Sequence, residues 1–182
     1  MFGIAQYSRL STERSATVVT PRHEPQPRTP IELDDADLVL LAELQRDARQ
    51  TNRALASAAN LAPSTTLARI RELERSGVID GYHARVNLSA LDRGLQALIF
   101  VRLQPKSHDV IEKFFDHVWS LEETVSVDLI SGVEDAVIRV AVRDADALQR
   151  LVINEVSGLE GVFDERTSLL FEHKRREVLK PL

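Results

Sequence analysis

Residues 47–84, DARQTNRALASAANLAPSTTLARIRELERSGVIDGYHA, constrain the fold more than any other part of the chain. Thr51 is a suitable N-cap for a short helix, and Asn60 is a suitable end for it. Pro63 is well placed at the first position of a following helix. A glycine-punctuated stretch comes next, and its alternation predicts a short strand over residues 79–86. The pattern predicts two helices joined by a tight turn and followed by a wing.

The second of these helices has an apolar side and a polar side. Its apolar residues recur at helical spacing and are therefore predicted to be buried: Leu67, Ile70 and Leu73. The residues left facing outward are Ser64, Thr65, Ala68, Arg69 and Glu72. Small hydroxyl residues and an arginine suit contacts with base edges and phosphates in a DNA groove. The same pattern also fits a small helical hairpin with a solvated polar face.

The second half of the chain has a different periodicity. Strands are predicted over residues 95–104, 124–131, 135–143 and 162–173, and helices over 107–122 and 144–157. This βαββαβ order is that of a ferredoxin-like sandwich, so the fold class is α+β. Apolar residues such as Leu98, Phe100, Val137 and Leu169 suggest that both faces of the sheet are apolar, which predicts self-association.

Charge is unevenly distributed along the chain, whose net charge is −5. Residues 46–75 hold six arginines against three acidic residues, whereas residues 87–182 hold 12 basic and 17 acidic side chains. Positive charge is therefore concentrated where phosphates would bind. Residues 1–32 contain four of the seven prolines and are predicted to be a flexible extension. That extension is either a basic arm that touches DNA or simply a solvated tail.

Composition excludes several classes of function. No apolar run approaches the roughly 18 residues of a membrane span, and no secretory segment opens the chain. The chain has no cysteine and five histidines without close ligand spacing, so no metal site is predicted. No catalytic constellation stands out, and we expect a non-enzyme without a cofactor. These features fit a cytoplasmic protein.

A series of ordered motifs resembles the Lrp/AsnC family of transcriptional regulators. They are Leu-Asp-x-x-Asp at 33–37, Asp-x-Arg at 47–49, Leu-x-Pro-Ser-Thr at 61–65, Gly-Val-Ile-x-Gly-Tyr-x-Ala at 77–84, the Gly turn at 131–135, Thr-Ser at 167–168, and the ending at 179–182. Asp92 stands where the family usually has glycine. The resemblance implies a winged helix-turn-helix domain at 33–86, a linker at 87–94, an effector and oligomerisation domain at 95–174, and a tail at 175–182.

The resemblance also implies partners and sites. The partners are double-stranded DNA, a second copy of the chain in a dimer or octamer, and an amino-acid effector bound between subunits. The candidate DNA contacts are Ser64, Thr65, Thr66, Arg69, Arg71 and Arg53. The candidate effector loop is Gly132, Val133, Glu134 and Asp135, whose turn is also explained by the need for a positive φ at glycine.

Two other functions remain open from the sequence. Siroheme decarboxylases resemble the same two-domain architecture, and His83 and Arg85 can be fitted to such a tetrapyrrole site. An amino-acid-sensing module that acts only through protein partners is the other alternative. The intact helix-turn-helix pattern favours a DNA-binding regulator over both.

Overall fold

The computed structural model describes residues 32–181. The extension predicted at 1–32 therefore lies outside the described residues, apart from Glu32. The described elements are α1 (Asp35–Arg46), α2 (Asn52–Ala58), α3 (Pro63–Arg75), β1 (Leu95–Leu103), α4 (His108–Ser120), β2 (Thr124–Leu129), β3 (Ala136–Val142), α5 (Ala145–Leu151) and β4 (Val162–Leu169). A 3-10 turn, Leu88–Leu91, precedes β1, and a π-helical turn, Val152–Val156, extends α5.

Local capping explains where most of the helices begin. The Asp34 side chain accepts the backbone N–H of Asp37, and the Asp37 side chain accepts that of Asp34, which forms a capping box at α1. The side chains of Thr51, Ser107 and Asp144 each accept one backbone N–H at the start of α2, α4 and α5, without the reciprocal bond. Helix α3 has no side-chain cap because its N-cap is Ala62, and it begins with Pro63 instead.

Helices α1–α3 share a small core. Leu40, Leu55 and Ile70, one from each helix, form its buried cluster. The prediction that Leu67 is buried is wrong, since its exposed fraction is 40%. Thr66 takes the buried position instead, and its hydroxyl donates to the carbonyl of Ala62 at 3.1 Å. This local bond satisfies the hydroxyl, which lets a polar residue occupy the core side of α3.

The region between the two halves differs from the prediction. Residues 80–87 form no strand, so the predicted wing strand is absent from the described chain. Asp92 has φ 59°, a left-handed conformation that glycine adopts most easily. Its carboxylate also pairs with Arg143 at 2.5 Å, which holds the linker against the end of β3.

The C-terminal half is a four-stranded antiparallel sheet in the order β2-β3-β1-β4. This order and the helices α4 and α5 confirm the ferredoxin-like prediction. Alternate residues of the two inner strands face the helices and are at most 3% exposed: Ala97, Ile99, Val101, Leu103, Ala136, Ile138, Val140 and Val142. Phe114 and Val118 of α4 and Leu148 of α5 pack against them.

The other face of the sheet carries no helix of the described chain. Leu98 and Phe100 of β1 lie opposite Arg139 and Val137 of β3, and opposite residues share a face. Leu169 lies opposite the buried Ala97, so it belongs to the helix side rather than to this face. We call the surface formed by Leu98, Phe100, Val137, Arg139 and Arg166 the open sheet face. No helix among residues 32–181 is long and apolar enough to cross a membrane.

Candidate DNA interface and effector loop

The turn between α2 and α3 is fixed by three local features. Asn60 has φ 53°, and the backbone N–H of Leu61 donates to Ala56 at 2.9 Å. The side chain of Asn52 donates to the carbonyl of Pro63 at 2.8 Å, which ties the start of α2 to the start of α3. The angle between the two helices is therefore held by hydrogen bonds as well as by the shared core.

Helix α3 presents a continuous outward stripe. Ser64, Ala68, Arg71 and Arg75 are spaced by four, three and four residues, so they lie on one side of the helix. All four are exposed, and so is Thr65. Thr66 lies on the other side and is fully buried. Its burial removes Thr66 from the set of candidate DNA contacts.

The arginines around α3 differ in their partners. Arg46 pairs with Glu43, and Arg75 pairs with Glu72 at 2.6 Å. Arg69 lies 2.8 Å from Asp34 and 2.9 Å from Asp37. Among the six arginines of residues 46–75, the side chains of Arg49, Arg53 and Arg71 have no hydrogen-bond or ion-pair partner within residues 32–181. These three remain available for phosphates.

Arg49 was not among the contacts expected from the sequence. It lies in the turn between α1 and α2, where its backbone N–H donates to the Asp47 carboxylate at 2.9 Å. Its exposed guanidinium has no acidic partner within residues 32–181. The Asp-x-Arg motif at 47–49 is the sequence signal that marks this residue.

The loop at 130–135 joins β2 to β3. Gly132 has φ 148°, which confirms the predicted need for glycine in this turn. Val133 is 72% exposed at the tip. The backbone N–H of Asp135 donates to Val101 at 2.8 Å, and its carbonyl accepts from Ile130 at 2.9 Å. The loop is therefore anchored at its base and open at its tip.

Both acidic side chains of this loop have cationic partners. Asp135 pairs with Lys106 at 2.7 Å and accepts the backbone N–H of Leu103 at 2.9 Å. The hydrogen bond from Lys106 is the main cause, with that from Leu103, of a pKa of Asp135 below its ordinary value. Glu134 pairs with Arg166 at 2.9 Å. A ligand ammonium group must therefore share these carboxylates with Lys106 or Arg166.

Arg166 links the loop to the open sheet face. Its guanidinium carbon lies 4.8 Å from the ring centroid of Phe100, in range for a cation–π contact. The same guanidinium pairs with Glu134. The loop and the centre of the open sheet face are thus joined through a single side chain.

An open cleft of about 270 Å³ lies at the other end of β3. Its walls include Arg93, Glu122 and Arg143 together with residues of the linker. Arg143 is paired with Asp92, and Arg93 donates to the carbonyl of Glu122. These charged groups satisfy each other and anchor the linker, so the cleft does not coincide with the loop predicted to hold an effector.

Two family models match the chain. One is described as winged helix-turn-helix DNA-binding and matches residues 33–80, and the other is described as the Lrp/AsnC ligand binding domain and matches residues 96–179. The chain is 35% identical over 166 residues to the HTH-type transcriptional regulator AldR of Mycolicibacterium smegmatis, covering 91% of this chain and 97% of that protein. It is 36% identical over 145 residues to the leucine-responsive regulatory protein of Escherichia coli K12, covering 80% of this chain and 88% of that one.

Solved structures show the same architecture. A transcriptional regulator from Neisseria meningitidis in complex with L-Met aligns with a TM-score of 0.76 at 29% identity, covering 82% of this chain and 97% of that one. AsnC of Escherichia coli aligns with a TM-score of 0.74 at 24% identity, covering 83% of this chain and all of that one, which supports the fold. The chain belongs to the Lrp/AsnC family.

As an Lrp/AsnC protein, the chain is a DNA-binding transcriptional regulator with a C-terminal ligand-binding domain. This favours the regulator over both a siroheme decarboxylase and a module that acts only through protein partners. The relatives named above are regulators rather than enzymes. No group of three or more potential ligands for a metal ion occurs within residues 32–181.

The Asp135 carboxylate generates a prediction about pH. Its pKa is lowered in the folded chain, so its ionised form stabilises the fold above the ordinary aspartate pKa of about 4. That contribution is lost as the pH falls through the lowered pKa. Asp135→Asn should therefore reduce the free energy of unfolding at pH 7, and the difference from the unaltered chain should shrink below about pH 4.

Urea unfolding at several pH values measures this difference in free energy of unfolding. Asp128→Asn, an exposed change on β2, is the control. A difference that does not vary with pH would contradict the assignment.

Proposed function

We propose that this regulator binds an imperfect DNA palindrome as a dimer, with the outward stripe of α3 in the major groove. Ser64 and Thr65 supply hydroxyls for base edges, and Arg71 lies further along the same side of the helix. Arg53 and Arg49 lie on neighbouring elements and contact phosphates. The exposed arginines without acidic partners carry this proposal.

The small number of free cations supports a dimer. One copy offers only Arg49, Arg53 and Arg71 to the phosphate backbone. Each phosphate contact contributes to the salt-dependent part of the affinity. Two copies double that number and add the avidity of a second half-site. We expect half-sites about 10–10.5 bp apart, or a multiple of that spacing.

The open sheet face is the surface that a second copy covers. Leu98, Phe100 and Val137 form its apolar centre, and Arg139 lies beside them. The Nε of Arg139 is buried without a hydrogen-bond partner among the described residues. An acceptor from a second subunit would satisfy this donor, because buried polar groups in stable proteins are generally paired. Larger assemblies, up to an octamer, would use other surfaces.

An amino acid is the proposed effector, and residues 132–135 form the edge of its site. The Neisseria relative is named as a complex with L-Met. In this chain, Glu134 offers its carboxylate to the ammonium group of an amino acid, and its partner Arg166 offers a guanidinium to the carboxylate of the same ligand. Exposed Val133 adds apolar surface beside them.

The protein then acts by binding rather than by catalysis, without a resident cofactor. It works in the cytoplasm, where its DNA is.

Arg71→Ala tests the DNA interface. It should weaken binding to a palindromic duplex selected from a random library by the unaltered protein, and it should lower the slope of log affinity against log salt by about 1 per subunit. Arg150→Ala, which removes an exposed arginine of α5 in the other domain, is the matched control and should change neither quantity. Equal losses in the two variants would contradict the proposed contact.

Leu98→Asp tests the dimer. A charge placed on the open sheet face would be buried without a partner in the dimer, so the dissociation constant should rise by about thirtyfold or more. Ultracentrifugation at micromolar concentration measures the change, and circular dichroism checks the fold. Ile153→Asp, at a position 56% exposed in the helical layer, is the matched control. A folded Leu98→Asp variant that dimerises normally would show that the interface lies elsewhere.

Glu134→Gln tests the effector loop. In the unaltered protein, at least one of the twenty amino acids at millimolar concentration should change DNA affinity by about 1–3 kcal/mol. Glu134→Gln should abolish that response and keep ligand-free DNA affinity, because the loop lies outside the helix-turn-helix. Glu172→Gln, which removes an exposed pair with Lys174, is the control and should respond normally. If no amino acid alters DNA affinity, assembly or melting temperature of the unaltered protein, the effector proposal fails.

A further inference from the structure

Arg69 holds two helices together through a single nitrogen atom. Its Nη1 lies 2.8 Å from Oδ2 of Asp34 and 2.9 Å from Oδ1 of Asp37. The two aspartates belong to the start of α1, and Arg69 lies in the middle of α3. The Asp37 side chain is 13% exposed, that of Arg69 is 33% exposed and that of Asp34 is 53% exposed, so the pair with Asp37 is the one partly shielded from solvent.

The capping box leaves one oxygen on each carboxylate for this contact. Oδ1 of Asp34 accepts the N–H of Asp37 at 2.9 Å, and Oδ2 of Asp37 accepts the N–H of Asp34 at 3.3 Å. The remaining oxygens, Oδ2 of Asp34 and Oδ1 of Asp37, are those that contact Arg69. One network therefore caps α1 and joins it to α3.

Withdrawal of Arg69 toward DNA would leave two carboxylates close together without a cation. Hydrogen bonds with Asp37 and Asp34 raise the pKa of Arg69. The backbone hydrogen bond from Asp37, followed by the contact with Arg69, lowers the pKa of Asp34. Arg69 and Asp34 are thus charged at neutral pH, and breaking the contacts of Arg69 with the two aspartates carries a cost that Arg71, which has no partner, does not incur.

Arg69 also lies off the outward stripe. It precedes the buried Ile70 by one residue and follows the buried Thr66 by three, so it lies at the flank of α3 that faces α1. The core between these helices is small, and apolar packing is not directional. The ion pairs add a directional constraint on the rotation of α3 about its own axis.

We infer that Arg69 is a positioning residue rather than a DNA contact: through Asp34 and Asp37 it sets the orientation in which α3 presents Ser64, Ala68 and Arg71 to the groove. This inference deepens the proposed DNA-binding function and rests on it. It replaces the expectation that Arg69 reads a base. It also gives Asp34 and Asp37 a role in sequence recognition, although neither belongs to the helix that enters the groove.

The experiment compares Arg69→Gln, Asp37→Asn, their combination and Arg69→Lys in the full chain. DNA binding is measured on the duplex selected by the unaltered protein and on poly(dI-dC). Arg69→Gln and Asp37→Asn should each lower the ratio of specific to non-specific affinity by about tenfold, the loss expected when one base contact is misplaced. The combination should lose little more than either single change, because both break the same network.

Two further readouts separate positioning from direct contact. Arg69→Lys should restore most of the specificity, because one ammonium group can lie between the two carboxylates, whereas it fits a guanine edge less well than the planar guanidinium fork does. The salt slope on poly(dI-dC) should stay unchanged in Arg69→Gln, whereas loss of a phosphate contact lowers it by about 0.9. Circular dichroism below the melting temperature confirms that each variant is folded, and Asp34→Asn replaces Asp37→Asn if the latter is not.

Either of two results would overturn the inference. In the first, Asp37→Asn binds the selected duplex as tightly as the unaltered protein while Arg69→Gln does not. In the second, the salt slope on poly(dI-dC) falls in Arg69→Gln. If the unaltered protein enriches no duplex, the DNA-binding proposal fails instead. The coupling between Arg69 and Asp37 is then measured from the free energies of unfolding of the two single variants and their combination. Losses in free energy of unfolding that simply add in the combination would refute the network.

Discussion

The pleat of the two inner strands, β1 and β3, determines where the other features of the C-terminal domain lie. Every second residue of these strands is buried against α4 and α5, from Ala97 to Leu103 and from Ala136 to Val142. Strand geometry then forces the intervening residues, Leu98 and Phe100 among them, onto the open sheet face. It also places the loop at 130–135 at one end of β3 and the linker, through Asp92 and Arg143, at the other end. A slip of one residue in this register would exchange the two faces and separate the loop from Arg166.

The helix-turn-helix domain is stabilised differently, because its core is much smaller. Leu40, Leu55 and Ile70 are the cluster that joins its three helices. Polar contacts with defined directions complement this packing: the capping box of α1, the bond from Asn52 to Pro63, and the bridge of Arg69. Such contacts add little to stability when they are exposed, but they specify one orientation among several that a small apolar cluster allows. Orientation is the property that base recognition requires.

Features determined by neighbouring residues were predictable from the sequence, whereas those determined by distant residues were not. The cap Thr51 and the turn at Gly132 depend on contacts a few residues apart, and they lie where the sequence places them. The burial of Thr66 in place of Leu67 depends on how α3 lies in the folded domain, which helical periodicity does not resolve. The partners of Arg69 lie 32 and 35 residues away, so its sequence neighbourhood suggested a free cation. A wing strand was expected at 79–86, but a strand needs a partner with which to share hydrogen bonds, and residues 80–87 have none within the described chain.

The C-terminal tail contacts the helix-turn-helix domain through polar, exposed groups. The side chain of Gln45 in α1 both donates to and accepts from the backbone of Leu179, at 3.1 and 2.9 Å, and Arg85 pairs with Glu177 at 3.1 Å. The two buried apolar clusters of the described residues remain separate, one in each domain. Exposed pairs of this kind contribute about 0–1 kcal/mol each. An effector changes DNA affinity by a coupling free energy of about 1–3 kcal/mol, which is the size of a few such contacts. Rigid domains connected by weak polar contacts therefore suit a regulator, because a ligand can alter their arrangement without unfolding either core.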